Sequence, residues 1–275
     1  MVQRSSGRAL RQLQPKLVVR DLTHHYPDEY TGEDVHALER LSLEVYEGEL
    51  AAVVGPSGCG KTTLLNILAG LLPHRQGVVQ VDGVAVKGPG PDRGVVFQEH
   101  AILPWRTVAR NIGHGLEIQS VPRQERERRV REFIELVGLT GFEDRYPHEL
   151  SGGMKQRVAL ARTLCANPVI MLMDEPFAAV DAQTRITLQE ELNRIAIATR
   201  KTILFITHNV DEAAFLGDRC FILTRRPGRL KATVKIDIPR DRRLWKDLVS
   251  DPAFTRPRDE ILQLVRAEVG RVGDE

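Results

Sequence analysis

Positions 55 to 62 read G-P-S-G-C-G-K-T, an unbroken G-x-x-x-x-G-K-[ST], and few short stretches restrict a chain's architecture so tightly. An apolar run from Leu50 to Val54 precedes it, and Leu64, Leu65, Ile67 and Leu68 follow at the spacing of a helix's inner face. The motif therefore sits in a strand–loop–helix unit, the context its chemistry requires. Gly55, Gly58 and Gly60 allow the tight turn that aims backbone N–H groups at one point, and the helix start adds unpaired amides and a positive dipole end. Pro56, Ser57 and Cys59 fill out the loop. Lys61 reaches toward β- and γ-phosphates, the Thr62 hydroxyl is placed to ligate Mg²⁺, and Thr63 completes the nucleotide-binding set. The alternative is a glycine-rich turn ahead of an ordinary helix; eight matching positions in the right context favour a nucleoside triphosphate site.

The rest of the composition narrows the setting. At 275 residues the chain forms one large domain or two small ones, and 42% hydrophobic with 28% charged residues is ordinary for a globular protein. A formal charge of +2 gives no reason to expect nucleic acid as a partner. Cys59, Cys165 and Cys220 lie far apart without metal-ligand spacing, which suits a reducing cytosol. The thiol of Cys59, beside a helix start, is expected to be acidified and open to alkylation, with bound nucleotide protecting it. The basic N-terminus has no apolar core and does not read as a secretory signal. No stretch approaches the roughly 18 apolar residues a membrane span needs, so membrane work would require docking onto another protein.

Four apolar runs share one property: each ends, on its carboxyl side, in a group capable of phosphoryl chemistry. Leu50–Val54 ends in the phosphate loop, 94–97 in Gln98, 169–173 in Asp174-Glu175, and 202–207 in His208. Runs apolar throughout, rather than alternating, suit strands buried on both faces of a parallel sheet. In such sheets ligands bind outside the carboxyl ends of the strands, so the four groups are expected to meet around one ligand. Elsewhere, 17–22 and 41–45 read as short strands, 77–86 as a hairpin turning at Asp82-Gly83, and 220–224 and 232–238 as closing strands. Residues 124–137 form a charged helix with Val130, Phe133, Ile134 and Val137 in one stripe, and 260–269 read as a helix in a charged tail.

Asp174 suits a carboxylate holding Mg²⁺, directly or through water, and Glu175 one that polarises the attacking water; a surface acid at a strand end is the alternative for Glu175. His208 could sense or stabilise the γ-phosphate, or be structural. Gln98 could orient water or touch the metal. Positions 150–156, L-S-G-G-M-K-Q, open a second helix with apolar face Met154, Val158, Ala161 and Leu164. Ser151 is a natural N-cap, and Gly152 and Gly153 allow close backbone approach, so this is either a second anion site or an ordinary capped helix.

Taken together, G-P-S-G-C-G-K-T, Gln98, L-S-G-G-M-K-Q, M-L-M-D-E-P, Val180-Asp181 and His208, in this order, resemble the ATP-binding cassette (ABC) ATPase family over residues 16–240. The resemblance implies an α/β P-loop NTPase: a RecA-like core sheet with an antiparallel β subdomain, plus a helical subdomain. It implies a core over 16–99 and 164–240 and a helical subdomain over 100–163; outside it, residues 1–15 read as a disordered lead and 241–275 as a charged helical tail. Two copies would pack head to tail, with Ser151, Gly152 and Gly153 of one touching the γ-phosphate of the other. Asp181 would lie in the loop linking the sites, Glu175 would be the general base, and Tyr26 would stack on adenine. P-G-P-D-R-G-V-V-F-Q-E, Leu103-Pro104-Trp105 and D-E-P-F look like the importer ATPases for nitrate, sulfonates and taurine. Trp105 would then belong to the surface docking a membrane permease, itself fed by a substrate-binding protein, and the chain would sit at the cytoplasmic face of the membrane. Val180 and Asn209 depart from the family's usual Leu and Asp, without an expected loss of hydrolysis. The rivals are a soluble ABC ATPase, as in iron–sulphur cluster assembly, and a non-hydrolysing nucleotide-dependent scaffold.

Overall fold

A computed structural model describes residues 14–27, 34–99, 101–178 and 180–269. The chain opens with two long antiparallel strands, β1 (Pro15–Pro27) and β2 (Asp34–Tyr46). The phosphate-loop unit follows as β3 (Leu50–Val54) and α1 (Lys61–Ala69). Next come β4 (Gln76–Val81), β5 (Val84–Ala85) and β6 (Arg93–Val96). A helical stretch holds α2 (Val108–Ile112), α3 (His114–Ile118), α4 (Arg123–Leu136) and α5 (Gly152–Cys165). Strands and helices then alternate: β7 (Ile170–Asp174), α6 (Ala182–Thr199), β8 (Thr202–Ile206), α7 (Val210–Leu216), β9 (Arg219–Leu223) and β10 (Leu230–Lys235). The tail carries α8 (Trp245–Leu248) and α9 (Pro252–Val269). None of these helices is long and apolar enough to cross a membrane.

The strands form two sheets, β2-β1-β4-β5 and β10-β9-β3-β8-β7-β6. In the second, β9, β3, β8, β7 and β6 run parallel and β10 returns antiparallel at the edge. Successive side chains on a strand point to opposite faces, and both faces here are covered. Ala51, Val53, Ile170, Leu172, Leu204, Ile206, Phe221 and Leu223 share one core with α1 and the antiparallel sheet. Leu50, Ala52, Val54, Met171, Met173, Ile203 and Phe205 share the other with α5, α6, α7 and α9 residues. This two-sided burial is why the runs are apolar throughout.

The expected short strands 17–22 and 41–45 are longer than their apolar patterns. β1 continues through His24, His25 and Tyr26, which pair with Leu38, His36 and Val35 of β2 across several register shifts. Asp21 and Arg40 take left-handed φ of 49 and 46°, breaking the alternation that marks a strand. The tail helix likewise begins at Pro252, ahead of the expected 260. Of the lead expected to be disordered, residues 1–13 lie outside the described residues, and Pro15 already belongs to β1.

Two glycines in left-handed conformation test what surrounds the phosphate-loop helix. Gly70 (φ 75°) ends α1, and a methyl added there would stand 2.2 Å from the Gly88 carbonyl oxygen; Gly83 (φ 78°) turns the β4–β5 hairpin with nothing within 4 Å. Gly83→Ala should cost about 1 kcal/mol, the left-handed penalty alone. Gly70→Ala should cost clearly more because backbone must move. Denaturant midpoints check this, and equal losses would contradict the close packing around α1.

Candidate nucleotide site

The sheet order places β6, β7, β8 and β3 side by side and parallel, so Gln98, Asp174-Glu175, His208 and the phosphate loop emerge along one carboxyl edge. The loop is supported from below. Gly60 has φ 98°, and a Cβ there would stand 2.7 Å from the Ala37 carbonyl oxygen; one on Gly55 would meet Cys59 Sγ at 2.8 Å. Lys61 is buried along its stem, and its Nζ donates to the Gly55 (2.8 Å) and Pro56 (2.9 Å) carbonyls. Ser57, Gly58 and Thr62 are exposed on the outer side. Tyr26 is partly exposed, with its hydroxyl 3.2 Å from Thr63 Oγ1 and its ring edge-on to His24. The structure thus seats Tyr26 beside the first turn of α1.

Asp174 is half-buried at the end of β7. Desolvation and neighbouring Glu175 raise its pKa, while Lys61 opposes the rise, which places the loop cation within electrostatic reach of the carboxylate. Glu175 holds a left-handed φ of 43°, pinned by its N–H donating to the Ile206 carbonyl at 2.9 Å. A strained conformation of this kind persists where surroundings enforce it; here it turns the carboxylate to His208, whose Nδ1 lies 2.9 Å from Glu175 Oε2. Gln98 is exposed just past β6.

The second anion-site candidate stands apart. Ser151 caps α5 by accepting from the Met154 N–H, and Ser151 and Gly152 are exposed. About 17 Å of helix separates Gly152 from Thr163, whose Cγ2 would lie 2.4 Å from a Cβ on Gly94 in β6. The stretch therefore projects from the sheet rather than joining its own chain's phosphate loop. A Cβ on Gly153 would meet Thr184 of α6 at 3.0 Å. That packing sets the L-S-G-G helix start beside the first turn of α6, which Asp181 caps through the Gln183 and Thr184 N–H groups. The departing residues are accommodated: Val180 is buried, and Asn209 caps α7 through the Asp211 and Glu212 N–H groups.

A further polar chain was not legible in the sequence. Thr207 Oγ1 donates to the buried Glu212 carboxylate at 2.6 Å and accepts from the Asn209 N–H at 3.0 Å, bracketing His208. Arg185 Nη2 donates to the Val180 carbonyl at 3.2 Å, and its Nε lies 3.8 Å from Glu212. The only local hint was Glu212 three residues after Asn209, the spacing of a capping box.

Cys59 overturns its expectation. It is buried beneath the loop, and desolvation raises its thiol pKa, outweighing Lys61 nearby. Burial disfavours the thiolate and here outweighs the acidifying backbone amides of the loop as well. Cys165 and Cys220 are buried too, with pKa values pushed up by burial.

An open, mostly parallel sheet with a glycine loop and helix start at its carboxyl edge defines a P-loop nucleoside triphosphatase. The family described as ABC transporter matches residues 38–178. An uncharacterized ABC transporter ATP-binding protein of Methanocaldococcus jannaschii is 53% identical over 94% of both chains. The taurine import ATP-binding protein TauB of Rhizobium johnstonii is 45% identical over 86% of this chain and 91% of its own. A solved ATP-binding cassette, dimeric in a post-hydrolysis state with ADP and Pi, is 29% identical, covers 81% of this chain and 100% of that one, and has a TM-score of 0.70. The chain belongs to the ABC transporter family, as an ATP-binding, ATP-hydrolysing subunit of the importer type.

The thiols give a direct check. In the native protein all three should resist a thiol reagent over minutes near neutral pH, with or without MgATP, and label only on denaturation. Rapid labelling of Cys59 that MgATP blocks would restore the acidified-thiol reading.

Proposed function

We propose that the chain holds MgATP on residues 55–63 and hydrolyses it with Glu175 as general base, powering uptake of a small solute of the nitrate, sulfonate or taurine type through a separate permease. The observation that carries this is the single edge shared by the loop and three strand ends, with Glu175 and His208 paired at 2.9 Å. Tyr26, beside Thr63, offers a ring face to adenine. Ser151, Gly152 and Gly153 close on a second copy's γ-phosphate, and Asp181 lies at that junction. Thr62, Gln98 and Asp174 offer the hard oxygen donors that suit Mg²⁺, a cation held by one or two protein groups together with phosphate. When bound, the ion would neutralise charge on the terminal phosphates.

Glu175 takes the proton of the attacking water, and His208 fixes the orientation of that carboxylate. Residues 16–99 and 164–240 serve as the nucleotide-binding core and 100–163 as the part that meets the permease. Trp105 is 71% exposed, in a groove of about 690 Å³ that it shares with arginines such as Arg110 and Arg126 and with Glu117, Glu127 and Glu143. An exposed indole beside a groove of mixed charge suits docking onto a membrane permease from its cytoplasmic face, the permease taking solute from a substrate-binding protein on the other side. A soluble role in cluster assembly leaves that surface without a purpose; co-purification with a multi-span protein, lost on Trp105→Ala, separates the two.

Glu175→Gln should keep MgATP binding, lower kcat by about 10²- to 10⁴-fold as loss of a general base does, and accumulate a nucleotide-bound dimer on size exclusion. Normal turnover would remove Glu175 from its role. Lys61→Ala should weaken nucleotide affinity and turnover together, and titration with a fluorescent ATP analogue checks it; unchanged affinity would count against the loop.

A further inference from the structure

The tail packs on several elements of the nucleotide-binding core, β9, β10 and α6 among them, and one of its contacts is with a short helix next to the chemistry. α7 is capped by Asn209, immediately after His208, and has only seven residues, Val210–Leu216. A helix that short is unstable by itself, and its last carbonyls lack intrahelical donors. Arg243 supplies them. Its side chain is buried, and Nη1 lies 3.0, 2.7 and 2.9 Å from the carbonyl oxygens of Phe215, Leu216 and Gly217. The same guanidinium donates through Nε and Nη2 to the Ile238 carbonyl, and Nη2 lies 3.3 Å from Asp218 Oδ1. Asp218 in turn accepts from the Leu50 N–H at 3.0 Å, at the start of the strand that ends in the phosphate loop. Two residues on, Trp245 stacks on Phe215 with centroids 4.6 Å apart, and Phe254 of α9 meets the indole edge-on.

Burying a guanidinium is costly unless every donor is used. This one is spent on a helix end, where its charge also opposes the negative pole of the dipole. α7 is thereby held at both ends: by Asn209 next to His208, and by Arg243 two turns away. Loosening the far end frees the near one, because so short a helix has no independently stable half.

We propose that Arg243 is a positioning residue for ATP hydrolysis: by closing the C-terminal end of α7 it fixes His208 against Glu175. The inference rests on the reading that His208 and Glu175 serve hydrolysis. It gives the tail a task inside the nucleotide site, at the opposite end of α7 from the chemistry.

The test is a double-mutant cycle in the full-length protein, reading kcat and the Kd of a non-hydrolysable ATP analogue. Arg243→Lys keeps a charge but, with one donor atom, cannot serve the helix end and also the Ile238 carbonyl and Asp218. It should lower kcat by about tenfold or more, as lost orientation does, while leaving Kd within about twofold. Combined with His208→Ala it should add less than about twofold to the loss from His208→Ala alone, because the interaction it supports is already gone. Arg243→Gln, which removes the buried charge and keeps one amide donor, is the companion variant should the lysine destabilise the fold, and the same non-additivity is required of it. An equal fold-loss in both backgrounds, or wild-type kcat in both Arg243 variants, would overturn the proposal. Wild-type turnover in His208→Ala alone would instead bring down the reading of the site, and this inference with it.

Discussion

The site depends on the in-register parallel pairing of β3, β8, β7 and β6. Val53 pairs with Ile206, Ile206 with Asp174, and Met173 with Val96, so the four strands stop at nearly the same level. Because both faces of the sheet are packed, no polar side chain can leave a strand sideways without burial cost. The first position where a carboxylate, amide or imidazole can reach water is past the last residue of each strand. Glu175, Gln98 and His208 occupy such positions, and Asp174 is the half-buried last residue of β7. The sheet thus concentrates reactive groups at its edge as a consequence of excluding them from its body, and the phosphate loop is the fourth such exit.

That logic explains what could be read in advance. A run apolar at every position announces a two-faced strand, and the residue that breaks the run announces the edge. Asp82-Gly83 gave away its hairpin because both residues must adopt positive φ, 50 and 78° here. Val130, Ile134 and Val137 gave away α4 because one helical face had to be buried. β1 beyond Leu22 was hidden for the opposite reason. His24, His25 and Tyr26 extend by pairing with β2 through bulges, and pairing between distant backbones leaves no periodicity in the sequence.

The parts of the site that escaped notice share that cause. Cys59 looked like an activated thiol because its neighbours in sequence are a helix start and Lys61. Its environment is set instead by the core it shares with Leu38, Phe221 and Leu223 and by Gly228, so close that a Cβ on it would stand 2.2 Å from the Cys59 carbonyl oxygen. Arg185, Thr207 and Glu212 likewise come together from α6, the end of β8 and α7. Motifs record groups that must meet a ligand in any member of a fold; they do not record groups that hold those groups still. Arg243 lies 35 residues from His208 and belongs to the second kind.

The electrostatics of the edge then argue for a second chain, on the proposed reading. Stabilising the charge that develops in phosphoryl transfer requires fixed dipoles in a site from which water is excluded. The single chain offers the dipoles but not the exclusion: Ser57, Thr62, Gln98 and His208 all face solvent. The same chain carries, on α5, an exposed capped helix start whose glycines leave its backbone bare, set most of a helix length from where α5 packs on β6. A surface that needs covering and a surface shaped to cover an anion, rigidly separated on one molecule, can satisfy each other only between two copies arranged head to tail. Each nucleotide so enclosed would stabilise the junction that encloses it, so binding and assembly become one event and hydrolysis the step that undoes both.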